Sequence, residues 1–350
     1  MITVLAPGLL STVQDEGRME FQAFGLPRAG VMDRYASRMA NLLCGNPLNT
    51  AVVEMTMMGG TFRFERSCRI AVCGADMDPR LNGAVIESWA ALDVSPGDIL
   101  ETGYAKTGCR SYLAVSGGFN VPVVMGSRST YTRAGVGGVD GRALRQYDRL
   151  PLGDAPSSAA GPIKLDNCFI PKYSDKIRLR VLMGSQDDLF MPEGIEAFFQ
   201  GEYKVTDEAD RMGYRLEGPR IRHRDKPDIV SDALARGAVQ VPGNGQPIVM
   251  MADCGTTGGY SKIATVIGAD FGRLAQAKPQ DSVHFLQCSD AEAVQALASE
   301  KELYDRAEKA ASAGPATISV PQFDVSKMSL KILDKIYRIE MEEVIENDDD

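Results

Sequence analysis

Three stretches of the 350-residue chain gather guanidinium, hydroxyl and glycine groups densely enough to hold an anion. GSRSTYTRAGVGGVDGR supplies Arg128, Arg133 and Arg142 among Ser127, Ser129, Thr130, Tyr131 and Thr132. DRMGYRLEG supplies Arg211, Tyr214 and Arg215, and DCGTTGGYSK supplies Thr256, Thr257 and Tyr260 around Gly258 and Gly259. Guanidinium forks beside hydroxyls and exposed amides suit planar carboxylate, carbamate or phosphate groups. The same composition also serves a solvated loop whose arginines offset the surplus acids, and composition alone leaves the two readings even. Near the start, STVQDEGR places Gln14, Asp15 and Arg18 in one turn-forming segment. There they could orient a small polar substrate or pin a hairpin.

Other chemistries are poorly supported. A phosphate loop needs GxxxxGK[ST], but Lys262 follows Tyr260 and Ser261. The dinucleotide fingerprint fails at Asp140, because the glycine that should follow Gly135 and Gly137 is displaced to Gly141. Only two histidines exist: His284 in the apolar SVHFLQ, read as structural, and His223 in the charged RIRHRDKPD, read as a solvated loop. A His-based nucleophilic or metal site therefore has little to stand on, and no metal is expected. The seven cysteines are scattered and never spaced CxxC, as expected of reduced thiols. A net charge of -9 disfavours nucleic acid and anionic membrane surfaces. With no basic leader before Asp15 and Glu16 and no long apolar run, a soluble cytoplasmic protein is expected.

The elements that must position these groups read as mainly β with a few helices. ITVL, TFRFE, RIAV, YLAVS, IRLRVL, AVQVP, PIVMMA and VHFLQ are short apolar or alternating runs bounded by turn residues. Three helices are predicted. One spans residues 33 to 44, with Asp33 as N-cap and Ala36, Met39, Ala40 and Leu43 on one face. A second runs from Pro192 through Phe199, and a third covers 290 to 312. The small, Pro-containing GDAPSSAAGPIKLDN divides the chain. It implies an N-terminal β-rich domain (1–152), a linker (153–172), a second β-rich domain (173–320) and an acidic tail (321–350). In the tail YRIEMEEV alternates like a strand while LKILDKIY also fits a helix, so its state stays open.

In order, STVQDEGR, FGLPRAGVMD, ANLLCGNP, VVEMTMMGG, GSRSTYTRAGVGGVDGR, DRMGYRLEG, VQVPGNGQPIVMMADCGTTGGY and LAQAKPQDSVHF resemble the biotin-dependent carboxyltransferase family, also called allophanate hydrolase subunit 2. The resemblance runs from about Ile2 to Gln287. It implies two β-rich domains with cyclophilin-like β-barrel character, working beside a homologous, KipI-like B-type partner and, in 5-oxoprolinase, a LamB/YcsF-type A component. The implied reaction is ATP-driven opening of the lactam of 5-oxoproline to glutamate. In the urea carboxylase branch it is carboxyl transfer from carboxybiotin on a separate carrier to urea or a related amide. A third possibility, from a member that antagonises a kinase inhibitor resembling the B-type partner, is a regulatory binding protein.

Both reactions must overcome delocalisation of the amide nitrogen lone pair, so donors aimed at a developing oxyanion help either route. On the resemblance, Arg128, Arg133 and Arg215 bind the anion. Asp15 or Asp253 takes a proton from the amide nitrogen, and Tyr214 and Tyr260 donate hydrogen bonds. Gln14, Arg18, Ser129, Thr130, Asn244, Gln246, Thr256, Thr257, Gly258 and Gly259 complete the expected substrate-binding set. Where ATP binds is not legible. The chain departs from the family pattern at Tyr147 and near Glu20, where glycine is usual, and at Gly255 and Ser261, where the family has Gln and Pro. The tail segment FDVSKMSLKILDKIYRIEMEEV faintly resembles the first strands of a biotin carrier but lacks a biotin-bearing Ala-Met-Lys-Met type segment; a partner-docking or unstructured tail is the plainer reading.

Overall fold

The computed structural model describes residues 1–155, 164–312, 327–332 and 335–340. Met1–Ile318 pack as one compact unit and Ser319–Asp350 as another.

In the first unit the chain begins with β1 (Ile2–Ala6), β2 (Leu10–Gln14), α1 (Arg34–Leu43), β3 (Val52–Thr56), β4 (Thr61–Phe64) and β5 (Cys68–Asp76). It continues through β6 (Arg80–Leu81), β7 (Ala84–Val85), β8 (Ala91–Val94), β9 (Ile99–Glu101), β10 (Thr107–Val115) and β11 (Arg149–Leu150). These strands make two sheets, ordered β11-β1-β4-β9-β6-β7 and β2-β3-β10-β5-β8. Ile2, Val4, Phe62 and Leu100 of the first meet Val53, Met55, Val72, Leu113 and Val115 of the second in one core.

Because side chains alternate along a strand, the residues between those core positions point the other way. Glu54, Arg110 and Tyr112 thus share the opposite face of the second sheet, where α1 packs on β5 and β10. Covered on both faces, β5 and β10 are buried along nearly their whole length. Asp33 caps α1 by accepting from the Ala36 amide at 3.1 Å, and Ala36, Met39, Ala40 and Leu43 are buried, as the spacing predicted.

The chain then forms β12 (Lys176–Met183), α2 (Pro192–Gln200), β13 (Tyr203–Val205), β14 (Gly213–Glu217), β15 (Asp228–Ala233), β16 (Ala238–Gln240) and β17 (Ile248–Met250). Next come β18 (Thr257–Tyr260), β19 (Lys262–Val266), α3 (Phe271–Ala275), β20 (Ser282–Gln287) and α4 (Asp290–Ser312). Seven strands close a barrel in the order β12-β19-β16-β17-β14-β13-β20, while β15 and β18 pair as a separate ribbon. In β12, Ile177, Leu179 and Val181 fill the barrel while Lys176 and Arg178 face solvent. Closure comes from the parallel pairing of β12 with β20, Lys176 opposite Ser282 through Val181 opposite Gln287. The mainly β fold with a barrel is the expected class, and all eight apolar runs and three helices read from the sequence are present.

In the second unit, β21 (Lys327–Ile332) and β22 (Lys335–Glu340) pair antiparallel, so the described parts of both segments left open are strands. The rest of the acidic tail and residues 156–163 of the linker lie outside the described residues.

His223 departs from the expected solvated loop. Its ring packs 4.8 Å from Phe190 and its Nε2 meets the Val241 carbonyl at 3.0 Å. Partial burial holds its imidazole below its ordinary value. The folded chain then binds fewer protons there than the unfolded one, so this contribution to stability is whole above about pH 6.5 and fades as pH falls through the lowered value. The urea midpoint of the parent is expected to fall between about pH 7 and 5 more than that of His223→Gln, measured at matched ionic strength.

Candidate active site

Asp15 follows the last residue of β2, at the point where the 127–142 loop returns to that strand. Its Oδ1 accepts from Ser127 Oγ (2.6 Å), Ser129 Oγ (2.5 Å) and the Gly17 amide (2.9 Å), and its Oδ2 from the Arg128 amide (2.6 Å). Four donors thus fix the carboxylate. The adjacent Gln14 donates to the Thr130 carbonyl at 3.0 Å, and the Thr130 hydroxyl to the Val13 carbonyl at 2.9 Å. The loop is thereby tied to β2 at three successive residues.

Asp15 and Arg128 line one cavity of about 420 Å³ with Asn49, Thr50, Asn120 and Asp154 among its walls. Arg128 is anchored there through Nε to the Val121 carbonyl and Nη2 to Asn120 Oδ1, both at 3.0 Å. Its remaining Nη1 has no partner among the described residues. A preset carboxylate and a cation with a free N–H therefore share a polar hollow, which can hold a small amide or carboxylate, accept its proton and stabilise an oxyanion.

Behind this cavity Arg18 is buried, donating through Nη2 to the Ser129 carbonyl. Its Nε and Nη1 and the Gln14 Oε1 have no hydrogen-bond partner among the described residues. Burial holds this guanidinium below its ordinary value, opposed by the carboxylates of Asp15 and Asp253.

Asp253 reaches the same neighbourhood from the barrel side, but its carboxylate is engaged. Arg211 donates to both its oxygens, at 2.9 Å each, to the Gly30 carbonyl at 2.6 Å, and through Nη1 to Glu54. Glu54 Oε2 in turn accepts from the Met32 amide (2.8 Å) and Tyr112 hydroxyl (2.9 Å). Burial opposes the charge of Arg211, yet Asp253 and Glu54 outweigh it and hold the guanidinium above its ordinary value. Alongside, Gln276 accepts from the Cys109 and Arg110 amides and donates to the Arg110 carbonyl, each at 2.9 Å, and donates to Asp33 at 2.8 Å. These buried polar bonds join the second sheet to the barrel.

The other expected site residues are placed elsewhere. Tyr214 lies in the barrel core, bonded to Arg110 Nη1 (2.5 Å) and the Ala277 carbonyl (3.1 Å), and lines none of the cavities described here. Arg215, on the next residue of β14, alternates outward and pairs with Glu208 at 3.2 Å. Arg133 is exposed in the turn bridged by Tyr131 and Val136. Asn244 and Gln246 build a turn: Asn244 accepts from the Gln246 amide at 3.0 Å, and the Gln246 side chain brackets Gly218.

Thr257, Gly258, Gly259 and Tyr260 form β18, with Thr256 bonded through its carbonyl to the Leu234 amide at 2.9 Å. Gly258 lies against the Gln240 side-chain amide, which would have to shift to admit a Cβ there. Tyr147, where the resemblance leads one to expect glycine, and Glu20, near another such position, adopt the left-handed backbone, with φ of 69° and 70°.

Sequence reasoning missed Glu54, Arg110 and Gln276. The signal was available for two of them: an acid inside VVEMT and an arginine inside TGCRSYLAV are charges in otherwise apolar strands, which survive burial only when paired. Among the described residues, no group of three or more His, Cys, Asp or Glu side chains is placed to hold a metal, and no helix is long and apolar enough to cross a membrane.

Comparison with known proteins gives this arrangement a lineage. Residues 24–287 match the model of the carboxyltransferase domain, subdomain A and B. The chain is 37% identical over 306 residues to the C-type subunit of Escherichia coli 5-oxoprolinase, covering 87% of this chain and 97% of that protein. It is 32% identical to the urea amidolyase of Saccharomyces cerevisiae over 82% of its own length, but spans 17% of that protein. The crystal structure of Kluyveromyces lactis urea carboxylase superposes on 97% of this chain with a TM-score of 0.84 and 29% identity; the chain spans 32% of it. The chain belongs to the carboxyltransferase domain family, subdomains A and B, whose members here are enzymes or enzyme subunits.

Proposed function

We propose that the chain is the C-type subunit of an ATP-dependent 5-oxoprolinase, opening the lactam of 5-oxoproline to glutamate in a cytoplasmic complex with a B-type partner and an A-type component. The observation that carries this reading is the cavity in which Asp15 and Arg128 face a volume suited to a small cyclic amide. The near full-length match to a stand-alone 5-oxoprolinase component supports it further. In this reading Arg128 and the neighbouring amides take the lactam oxygen as charge develops on it, and Asp15 manages the proton on nitrogen. ATP is a reactant of the complex, and its site is left to the assembled subunits. The division into domains 1–152 and 173–320 is proposed on the same footing: the first two sheets end at Leu150 and the barrel begins at Lys176.

One observation favours a second reading, carboxyl transfer from carboxybiotin to urea or a related amide. The superposition on urea carboxylase covers 97% of the chain with a TM-score of 0.84, whereas the sequence match to the Escherichia coli 5-oxoprolinase component covers 87%.

The test is co-purification with the B-type partner and an assay of 5-oxoproline-dependent ATP hydrolysis with and without the A-type component. Turnover of urea with carboxybiotin and none of 5-oxoproline would overturn the first reading in favour of the second. Within that assay Arg128→Ala is expected to lower kcat/KM by about 10- to 100-fold, the value of a charged hydrogen bond. Arg133→Ala, exposed and outside the cavity wall, is expected to change it by less than about threefold. Equal losses in the two variants would contradict the cavity assignment.

A further inference from the structure

A second cavity, of about 570 Å³, shares no lining residue with the first. Two carboxyl groups line it. Asp33 is 2% exposed, and its acceptor capacity is met only by neutral donors: the Ala36 amide, Gln276 Nε2 at 2.8 Å and the Tyr173 hydroxyl at 3.3 Å. Glu300, on α4, accepts from the Tyr304 hydroxyl at 3.2 Å. Neither forms an ion pair among the described residues. Burial raises both above the usual carboxylate range, opposed at Asp33 by its hydrogen bonds and at Glu300 by the Tyr304 hydroxyl and the nearby charges of Arg34 and Arg38.

Two further kinds of group complete the wall. Tyr35 and Tyr173 line the interior. Lys172, Lys176 and Arg178 line it from exposed positions, and none of them forms an ion pair among the described residues. The cavity is therefore acidic and aromatic within and cationic at its rim, inside a chain whose net charge is -9.

We infer that this cavity binds a small zwitterion of the α-amino-acid class, its ammonium taken by Asp33 and Glu300 against the tyrosine rings and its carboxylate by the rim cations. A desolvated carboxylate gains most from a cation that arrives already positioned, and aromatic faces favour that cation further. A simple amine would be repelled at the rim and a simple acid inside. The walls thus select a molecule that carries both charges. Since the two cavities have no residue in common, this site stands or falls independently of the proposed reaction.

Titration calorimetry of the full chain with the common α-amino acids tests it, with N-acetylglycine and ethylamine as probes lacking one charge each. At least one amino acid is expected to saturate, and each probe to bind at least about 10-fold more weakly, the value of one charged contact. Asp33→Asn removes the charge while keeping the cap of α1, since Asn caps helices as well as Asp. It and the double variant Lys176→Met/Arg178→Met, on the barrel strand, should each weaken binding by about 10-fold. Unliganded melting curves check that each variant is folded, and the double variant carries the test if Asp33→Asn does not fold. The proposal is overturned if no amino acid saturates below about 50 mM, if either probe binds as tightly as the best amino acid, or if a folded variant binds as the parent does.

Discussion

Asp15→Asn in the reconstituted complex is expected to lose about 10²- to 10⁴-fold in kcat, the range a positioned acid–base group supplies. The size matches the native side chain, so the cavity keeps its volume. What changes is the chemistry: an amide cannot take up a proton, and its NH2 would confront either the Arg128 amide or the two serine hydroxyls that now donate to the carboxylate. Ser127→Ala removes only one of those four donors, and a loss of about 10-fold or less is expected. Retention of more than about a tenth of the parent kcat by a folded Asp15→Asn would remove the residue from the chemistry.

The second large effect is on stability. Arg211→Met leaves Glu54 and Asp253 buried without the guanidinium that bridges them, at an expected cost of about 3–5 kcal/mol in urea unfolding. The methionine fills most of the volume, so the loss reads out charge and hydrogen bonding rather than a cavity. A loss below about 1 kcal/mol would mean the network contributes little to holding the sheet against the barrel. Arg215→Met, on the outer face of β14 and paired only with exposed Glu208, is the control and should lie within about 0.5 kcal/mol of the parent.

The contrast between Arg211 and Arg215 also shows where the sequence was legible and where it was not. Both belong to one polar cluster, DRMGYRLEG, and nothing local separates them. The strand alternation of β14 does: Tyr214 and Leu216 turn into the core, Arg215 turns out, and Arg211 precedes the strand, where it can reach across to β3. Periodicity foretold the strands and the three longer helices because burial of one face is written in every second or every third to fourth residue. The grouping of Gln14 and Asp15 with Ser129 was foretold only through family resemblance, since the contact spans more than a hundred residues. The walls formed by Asn49, Thr50 and Asn120 had no signal, because single polar residues in loops are the commonest kind of loop residue.

The barrel imposes an order in time. β12 is its earliest strand to leave the ribosome, yet both its neighbours, β19 and β20, come from the far end of the barrel sequence, with Lys176 waiting for Ser282. Until then both edges of an apolar strand lack their partners while the nascent chain grows, the circumstance in which strands recruit each other between molecules. The cations Lys176, Arg178 and Arg180, alternating with its core residues, are the charge that keeps such an edge soluble while it waits.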